Sequence, residues 1–221
     1  MRLTIDNLIE EAKIFCNEQS QLNHRELYGV TDGKAVGTYV EHKFKEHLLN
    51  KYEVDTGNSA KGVDLPSQDI NTDIKVTDIK QPQSSCPFKD AKQKIFGLGY
   101  NLLVFIYNKT DDHVNEMCKL DFINCTFINK LRTADYTITS MINQILNTGF
   151  DKDVIKEDIV AQLYNINLPG DEITYNMIAE EVLKNPPYIG YLTISNALQW
   201  RLQYKRVISL DNTVKGVLNI I

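Results

Sequence analysis

Gly62-Val-Asp-Leu-Pro-Ser-Gln-Asp-Ile-Asn-Thr-Asp-Ile-Lys-Val-Thr77 is the stretch on which the reading of this chain turns. Asp64 stands just before a short turn segment containing Pro66. Asp73 and Lys75 follow two apart in the β-type run Asp73-Ile-Lys-Val-Thr77. Residues i and i+2 of a strand project from one face. Asp73 and Lys75 therefore point into one space, and Ile74 goes the other way, into a core. If Asp64 ends a neighbouring antiparallel strand, its carboxylate reaches the same space. Two carboxylates and a lysine converging there can hold a hard divalent cation and activate water against a phosphodiester. The plain alternative is a solvated strand face with an opposite-charge pair, because Asp-x-Lys alone is a common tripeptide.

Upstream, residues 33–51 read as one helix after the turn Thr31-Asp32-Gly33. Gly37, Glu41, Phe44 and Leu48 share a stripe, with Val36 and Val40 beside it. Glu41 is then an acid on an apolar face, and an unpaired buried carboxylate is costly. Its partner would be a cation held by Asp64 and Asp73, or Lys75 itself. Alternatively Glu41 sits at the stripe's edge and pairs with Lys45 at i+4. Glu46 is the fallback acid on this helix.

Taken together, Gly37-x-x-x-Glu41, Asp64 and Asp73-x-Lys75 resemble the PD-(D/E)XK nuclease superfamily, and within it the type II restriction endonucleases. The resemblance covers roughly residues 30–110. It implies a restriction-endonuclease-like α/β core, an α+β mixed sheet flanked by helices, with Mg²⁺ (or Mn²⁺ as a substitute) held by the motif acids. By position Asp64 is the first acid, Asp73 the second, Lys75 the motif lysine and Glu41 the auxiliary helical acid. The ion would be bound by Asp64, Asp73 and the carbonyl of Ile74, and Glu41 would ligate a second ion directly or through water. Val63 stands where the pattern has proline, and the Asp64-to-Asp73 gap is short, which leaves Asp69 as a substitute for Asp64.

After the motif, residues 81–88 read as a polar loop punctuated by Pro82 and Pro87, residues 89–96 as a helix with Lys89, Lys92 and Lys94, and residues 101–107 as a buried strand. Gln81, Gln83, Ser84, Ser85 and Gln93 can hydrogen-bond base edges, while Lys89 and Lys92 neutralise phosphates. A solvated loop and an ordinary charged helix face explain any one of these residues equally well.

The remaining chain is read more coarsely. Residues 4–19 form an amphipathic helix with Asp6 as N-cap. Residues 110–113 are a turn-like loop, residues 117–128 a strand, and residues 131–148 a helix closed by Gly149. Helices follow at 153–164, 174–183 and 195–205, then a short hairpin around Asp211-Asn212. Three helices and a hairpin make a winged helix-turn-helix, whose third helix would offer Gln199, Arg201 and Gln203 to a DNA groove; a core-forming or dimerising bundle is the alternative. This divides the chain into a nuclease core at residues 1–150 and a helical region at residues 151–221.

Composition bounds these readings. The chain has 221 residues, enough for one sizeable core or a core with a small appended domain. Its net charge of −5 argues against a general nucleic-acid coat protein, although the metal-site acids count against that sum. No apolar run approaches a membrane span, and the start lacks the apolar core of a signal peptide. Cys16, Cys86, Cys118 and Cys125 lack zinc-site spacing and read as reduced thiols of a cytoplasmic protein.

The expectation is thus a type II restriction endonuclease that hydrolyses double-stranded DNA at a specific sequence and leaves 5′-phosphate ends. A homodimer suits a palindromic target, and a cognate DNA methyltransferase would be its partner in a restriction-modification system. A repair or recombination nuclease of the same superfamily, or a non-cleaving sequence-specific DNA-binding regulator, is the alternative.

Overall fold

A computed structural model of the protein describes residues 1–57, 62–86, 89–195 and 200–221. The chain runs α1 (Ile5–Gln21), β1 (Asn23–His24), α2 (Gly33–Leu49), β2 (Thr72–Asp78), β3 (Gln83–Cys86), α3 (Gln93–Phe96), β4 (Asn101–Asp112), β5 (Met117–Ile128), α4 (Tyr136–Leu146), α5 (Lys152–Asn165), α6 (Glu172–Lys184), β6 (Thr193–Ile194), β7 (Trp200–Gln203), α7 (Lys205–Ile208) and β8 (Val217–Asn219). It divides into two compact units. One comprises Met1–Ser84, Tyr100–Asn129 and Tyr204–Ile221, the other Ser85–Gly99 and Lys130–Gln203.

The first unit is built on a mixed sheet in the order β1-β5-β4-β2, with β8 also pairing on β5. β2 runs parallel to β4, with Asp73 opposite Leu102 and Lys75 opposite Val104. β4 and β5 form a long antiparallel pair whose register shifts at Ile106/Tyr107. The buried run at the start of β4 is the apolar strand expected at residues 101–107, but β4 continues through Thr110–Asp112, where a loop was expected. Pairing with Met117, Cys118 and Lys119 of β5 satisfies that polar backbone.

Helices α1 and α2 cover one face of this sheet, α1 against β5 and α2 against β2. Thr4, not Asp6, caps α1: its hydroxyl accepts the Asn7 N–H at 3.2 Å, and Asp6 lies in the first turn, where its charge suits the helix dipole. Asp32 caps α2 by accepting the Lys34 N–H at 2.9 Å. Val36, Val40, Phe44 and Leu48 are the buried stripe of α2. Phe44 meets Phe15 at 5.1 Å and Phe105 at 5.0 Å between ring centroids, both edge-on. Glu11 is buried where α1 meets the end of α2, and its carboxylate takes hydrogen bonds from His47 (2.7 Å), Lys51 (2.7 Å) and Tyr52 (3.0 Å). Burial pushes this carboxyl up, but the three bonds outweigh it and hold it below its ordinary range. That network removes the penalty of an isolated buried charge.

The second unit holds α4, α5 and α6 around Ile142, Ile159, Leu163, Ile178, Ala179 and Val182. Asp135 caps α4 through the Ile138 N–H at 3.0 Å and also accepts the Ile194 N–H at 2.8 Å. Two sequence expectations change here. The helix expected at residues 89–96 is only the single turn of α3, because an Asx turn at Asp90–Lys92 precedes it and Gly97, with φ of 90°, ends it. Lys94 does not join an exposed basic face. It is 1% exposed, donates to the Ile194 carbonyl at 3.2 Å and lies 4.8 Å from the Trp200 ring.

The third helix expected at residues 195–205 is replaced by β7, paired antiparallel with β6, and by the single turn of α7. The reason is legible in Trp200-Arg-Leu-Gln-Tyr204. Trp200, Leu202 and Tyr204 are buried while Arg201 is exposed and Gln203 half-buried, a period of two rather than 3.6. The expected C-terminal hairpin does not form either: α7 takes its first half, and β8 pairs with Thr126–Ile128 of β5. The helices α5 and α6 therefore do not continue into a winged helix-turn-helix. The mixed α/β class, a mixed sheet flanked by helices, stands.

Candidate active site

The site lies within the first unit and is assembled by a tight reversal. Leu65 and Thr72 exchange backbone hydrogen bonds in both directions at 3.0 Å, an antiparallel bridge that closes the turn between them. Within the turn, Ser67 accepts from Ile70 and Asn71, and Asn71 adopts a positive φ of 35°. Asn101 at the start of β4 fixes the turn from outside, its side chain donating to the Ile70 carbonyl at 2.8 Å. The bridge sets Asp64 beside Asp73, as the strand reading required. Gly57 donates to the Asp64 carbonyl at 2.7 Å, and a Cβ at Gly57 would lie 2.0 Å from the Val63 carbonyl oxygen, so only glycine allows this approach.

Asp64 Oδ2 accepts the Ile74 N–H at 2.8 Å. Lys75 Nζ lies 2.8 Å from Asp73 Oδ2, on the common face that i and i+2 of β2 dictate. Asp73 is 6% exposed. Burial pushes its carboxyl up to about 7 against the pull of the Lys75 ammonium, and its hydrogen bond to Asp64 adds to the rise. Asp64 moves the other way. Burial raises it, but hydrogen bonds from Asp73, Lys45 and the Ile74 N–H together hold it below the ordinary carboxylate range. The neighbouring carboxyls are thus driven apart, Asp73 toward its protonated form and Asp64 toward its ionised one.

Glu41 joins this group through Lys45. Lys45 Nζ lies 2.6 Å from Glu41 Oε1 and 2.7 Å from Asp64 Oδ1. The i+4 pair that would mark an ordinary surface glutamate is present, yet the same ammonium reaches across to the motif aspartate. Burial would lower the Lys45 ammonium; its bonds to Asp64 and Glu41 raise it instead. Sequence reasoning treated Lys45 only as the partner of a surface acid. Its place one helical turn beyond Glu41 was the available signal, and the reach to Asp64 needed the fold. Glu46 points away and is largely exposed, 3.6 Å from Lys43. Asp69 is exposed in the turn and has no part in the cluster. Among the described residues no three His, Cys, Asp or Glu side chains form a ready metal cage, and Lys45 stands between Glu41 and Asp64.

A sequence model of the type II restriction enzyme NspV family matches residues 2–219. The chain belongs to this family. A curated relative, the type II restriction enzyme NspV of Nostoc sp., is 50% identical over 218 residues, which cover 99% of this chain and 96% of the relative. No solved structure matches.

The residues that the sequence offers for DNA contact lie in different settings. Gln81 is exposed in the turn after β2, and Gln83 and Ser84 are half-buried in β3, with Ser84 hydrogen-bonded to the Tyr204 hydroxyl. The loop expected at residues 81–88 therefore contains a short strand. Ser85 and Lys89 are exposed. Lys92 is paired with Glu181. Gln93 donates to the Leu98 carbonyl at 3.4 Å, and its Oε1 is buried with no partner among the described residues. Arg201 and Gln203 lie on one face of β7 instead of on a helix. Gln199 falls outside the described residues, as do Pro87 of the expected loop and Leu198 of the expected third helix.

Proposed function

We propose that this chain is a Mg²⁺-dependent restriction endonuclease of the PD-(D/E)XK type, with Asp64, Asp73 and Lys75 as its catalytic group. The observation that carries the reading is the carboxyl pair Asp64–Asp73, joined across the Leu65/Thr72 bridge with Lys75 at 2.8 Å from Asp73. Family membership makes the activity that of a site-specific endodeoxyribonuclease.

The donor set suits a hard cation. It consists of oxygens, it is held by backbone geometry, and the raised Asp73 carboxyl would give up its proton to a bound cation. Asp64, Asp73 and the Ile74 carbonyl would hold the ion, with Glu41 completing the acidic set at one remove through Lys45. Bound there, Mg²⁺ would supply Lewis acidity to the scissile phosphate and lower the pKa of the attacking water. Lys75 would orient that water, take part in its deprotonation and offset charge in the transition state. Asp73 keeps the Lys75 ammonium aimed at this space. In-line attack of that water, with the 3′ oxygen as the leaving group, would leave a 5′-phosphate and a 3′-hydroxyl.

The raised Asp73 carboxyl gives a pH dependence with a defined sign. Asp73 is raised, so its ionised form, which the ion needs, is populated only above about 7. Mg²⁺ affinity should therefore weaken as pH falls from about 8 to about 6, with up to about one proton released per ion bound. Calorimetric titration in two buffers of different ionisation enthalpy measures both. Equal affinity at the two pH values, without proton release, would count against the pair as the binding site.

Digestion of unmethylated phage DNA in Mg²⁺ followed by sequencing of the ends tests the function. Discrete fragments sharing one terminal sequence and a 5′-phosphate are expected. Ends set by nicks or junctions would mean a repair nuclease, and binding without cleavage a regulator. The proposal extends to a homodimer that reads a palindrome and a methyltransferase that protects it. A particle of 25.3 kDa with and without DNA would remove the dimer.

A further inference from the structure

We propose that the Lys45 ammonium occupies the place of a second cation, so that each active site takes a single divalent ion. This rests on the metal-binding reading above.

In two-metal phosphodiester sites, carboxylates from different elements bridge or flank both ions. Here Glu41 on α2 and Asp64 before the turn bring carboxylate oxygens to either side of one position that a second ion could take. Lys45 Nζ already sits between them, 2.6 Å from Glu41 Oε1 and 2.7 Å from Asp64 Oδ1. These are short, charge-assisted contacts. The remaining Asp64 oxygen faces the Ile74 N–H at 2.8 Å, and Lys75 sits on Asp73. Lys45 is also well anchored: its side chain is 15% exposed, and its helix neighbours Phe44 and Leu48 are buried in the core. An ammonium fixed in this way cannot step aside without leaving two carboxylates facing each other.

The charge count agrees. Glu41, Asp64 and Asp73 bring three negative charges when ionised, and Lys45 and Lys75 bring two positive ones. One divalent ion leaves the site with a single positive charge, matched to a single phosphodiester anion. A second divalent ion beside Lys45 would leave a large excess of positive charge in a confined space. Without Lys45 the Glu41 and Asp64 carboxylates would be uncompensated, which is the condition for recruiting another ion.

Manganese counting by electron paramagnetic resonance tests this, since free Mn²⁺ gives a signal that binding removes. Wild-type protein should bind one Mn²⁺ per chain, Lys45→Arg one, and Lys45→Met two. Circular dichroism establishes that each variant is folded, and Lys45→Gln replaces Lys45→Met if the latter is not. Two ions on the wild-type chain overturn the proposal without recourse to any variant. One ion on folded Lys45→Met overturns it as well, since a purely structural lysine would leave the count unchanged. No ion on the wild type, or an unchanged count in Asp73→Asn, overturns the metal-binding reading itself and this inference with it.

Discussion

Asp73→Asn should lower single-turnover DNA cleavage by about 10³-fold or more, equivalent to about 4 kcal/mol of transition-state stabilisation. The substitution keeps the side chain's shape and removes only its charge. Asp73 is buried on β2, its carboxyl faces Asp64, and Lys75 is aimed by it. The amide can still donate to Asp64 as the protonated carboxyl does, so the metal-free fold should be preserved and its melting temperature little changed. Lost charge therefore appears as lost chemistry. Lys75→Met should show a comparable loss in rate with much less loss of Mg²⁺ binding, because Lys75 contributes no ligand oxygen. Either variant cutting at the wild-type rate would remove that residue from the catalytic group.

Phe105→Ala should destabilise the protein by about 3–5 kcal/mol. Phe105 is fully buried at the centre of β4, and its ring lies 5.0 Å from Phe44, 5.8 Å from Phe15 and 5.9 Å from Phe122. One truncation thus empties the junction of α1, α2 and the sheet. The rings surround the gap from separate elements, which limits collapse into it. Set against a typical total of about 5–15 kcal/mol, this is a large fraction. It also reaches the site, since Phe105 pairs in register with Val76, the residue after Lys75. Urea unfolding of wild type and variant measures the difference from the midpoint and slope. A loss below about 1 kcal/mol would mean that the aromatic cluster is not the centre of the core.

What could be read from the sequence follows from the range over which each signal acts. The alternation Asp73-Ile-Lys-Val-Thr77 is local, and β2 forms there with Asp73 and Lys75 on one face. The Asp64–Asp73 approach depended on one turn, and that turn closes as its residues suggest. Glu41 was harder. The helical stripe placed it near the core, but whether it met a metal acid or a surface lysine depended on a partner 19 residues beyond Lys45, and the fold gives both contacts through one ammonium. The C-terminal region misled for a different reason. Ile194 and Leu202 fit a helical face, while the stronger alternation Trp200-Arg-Leu-Gln-Tyr204 pointed to a strand. The hairpin reading covered the residues of β8, but its partner could not be read from local pattern, because that partner on β5 lies some ninety residues earlier, at Thr126–Ile128.

On the proposed function, Asp64 and Asp73 together hold the ion that serves DNA cleavage. Crystals grown with Mn²⁺ and examined by anomalous scattering test it most directly. The expected result is a peak bounded by the Asp64 and Asp73 carboxylates and the Ile74 carbonyl. A peak at another cluster, or none at these two aspartates while the crystallised protein remains competent to cut DNA, would contradict it.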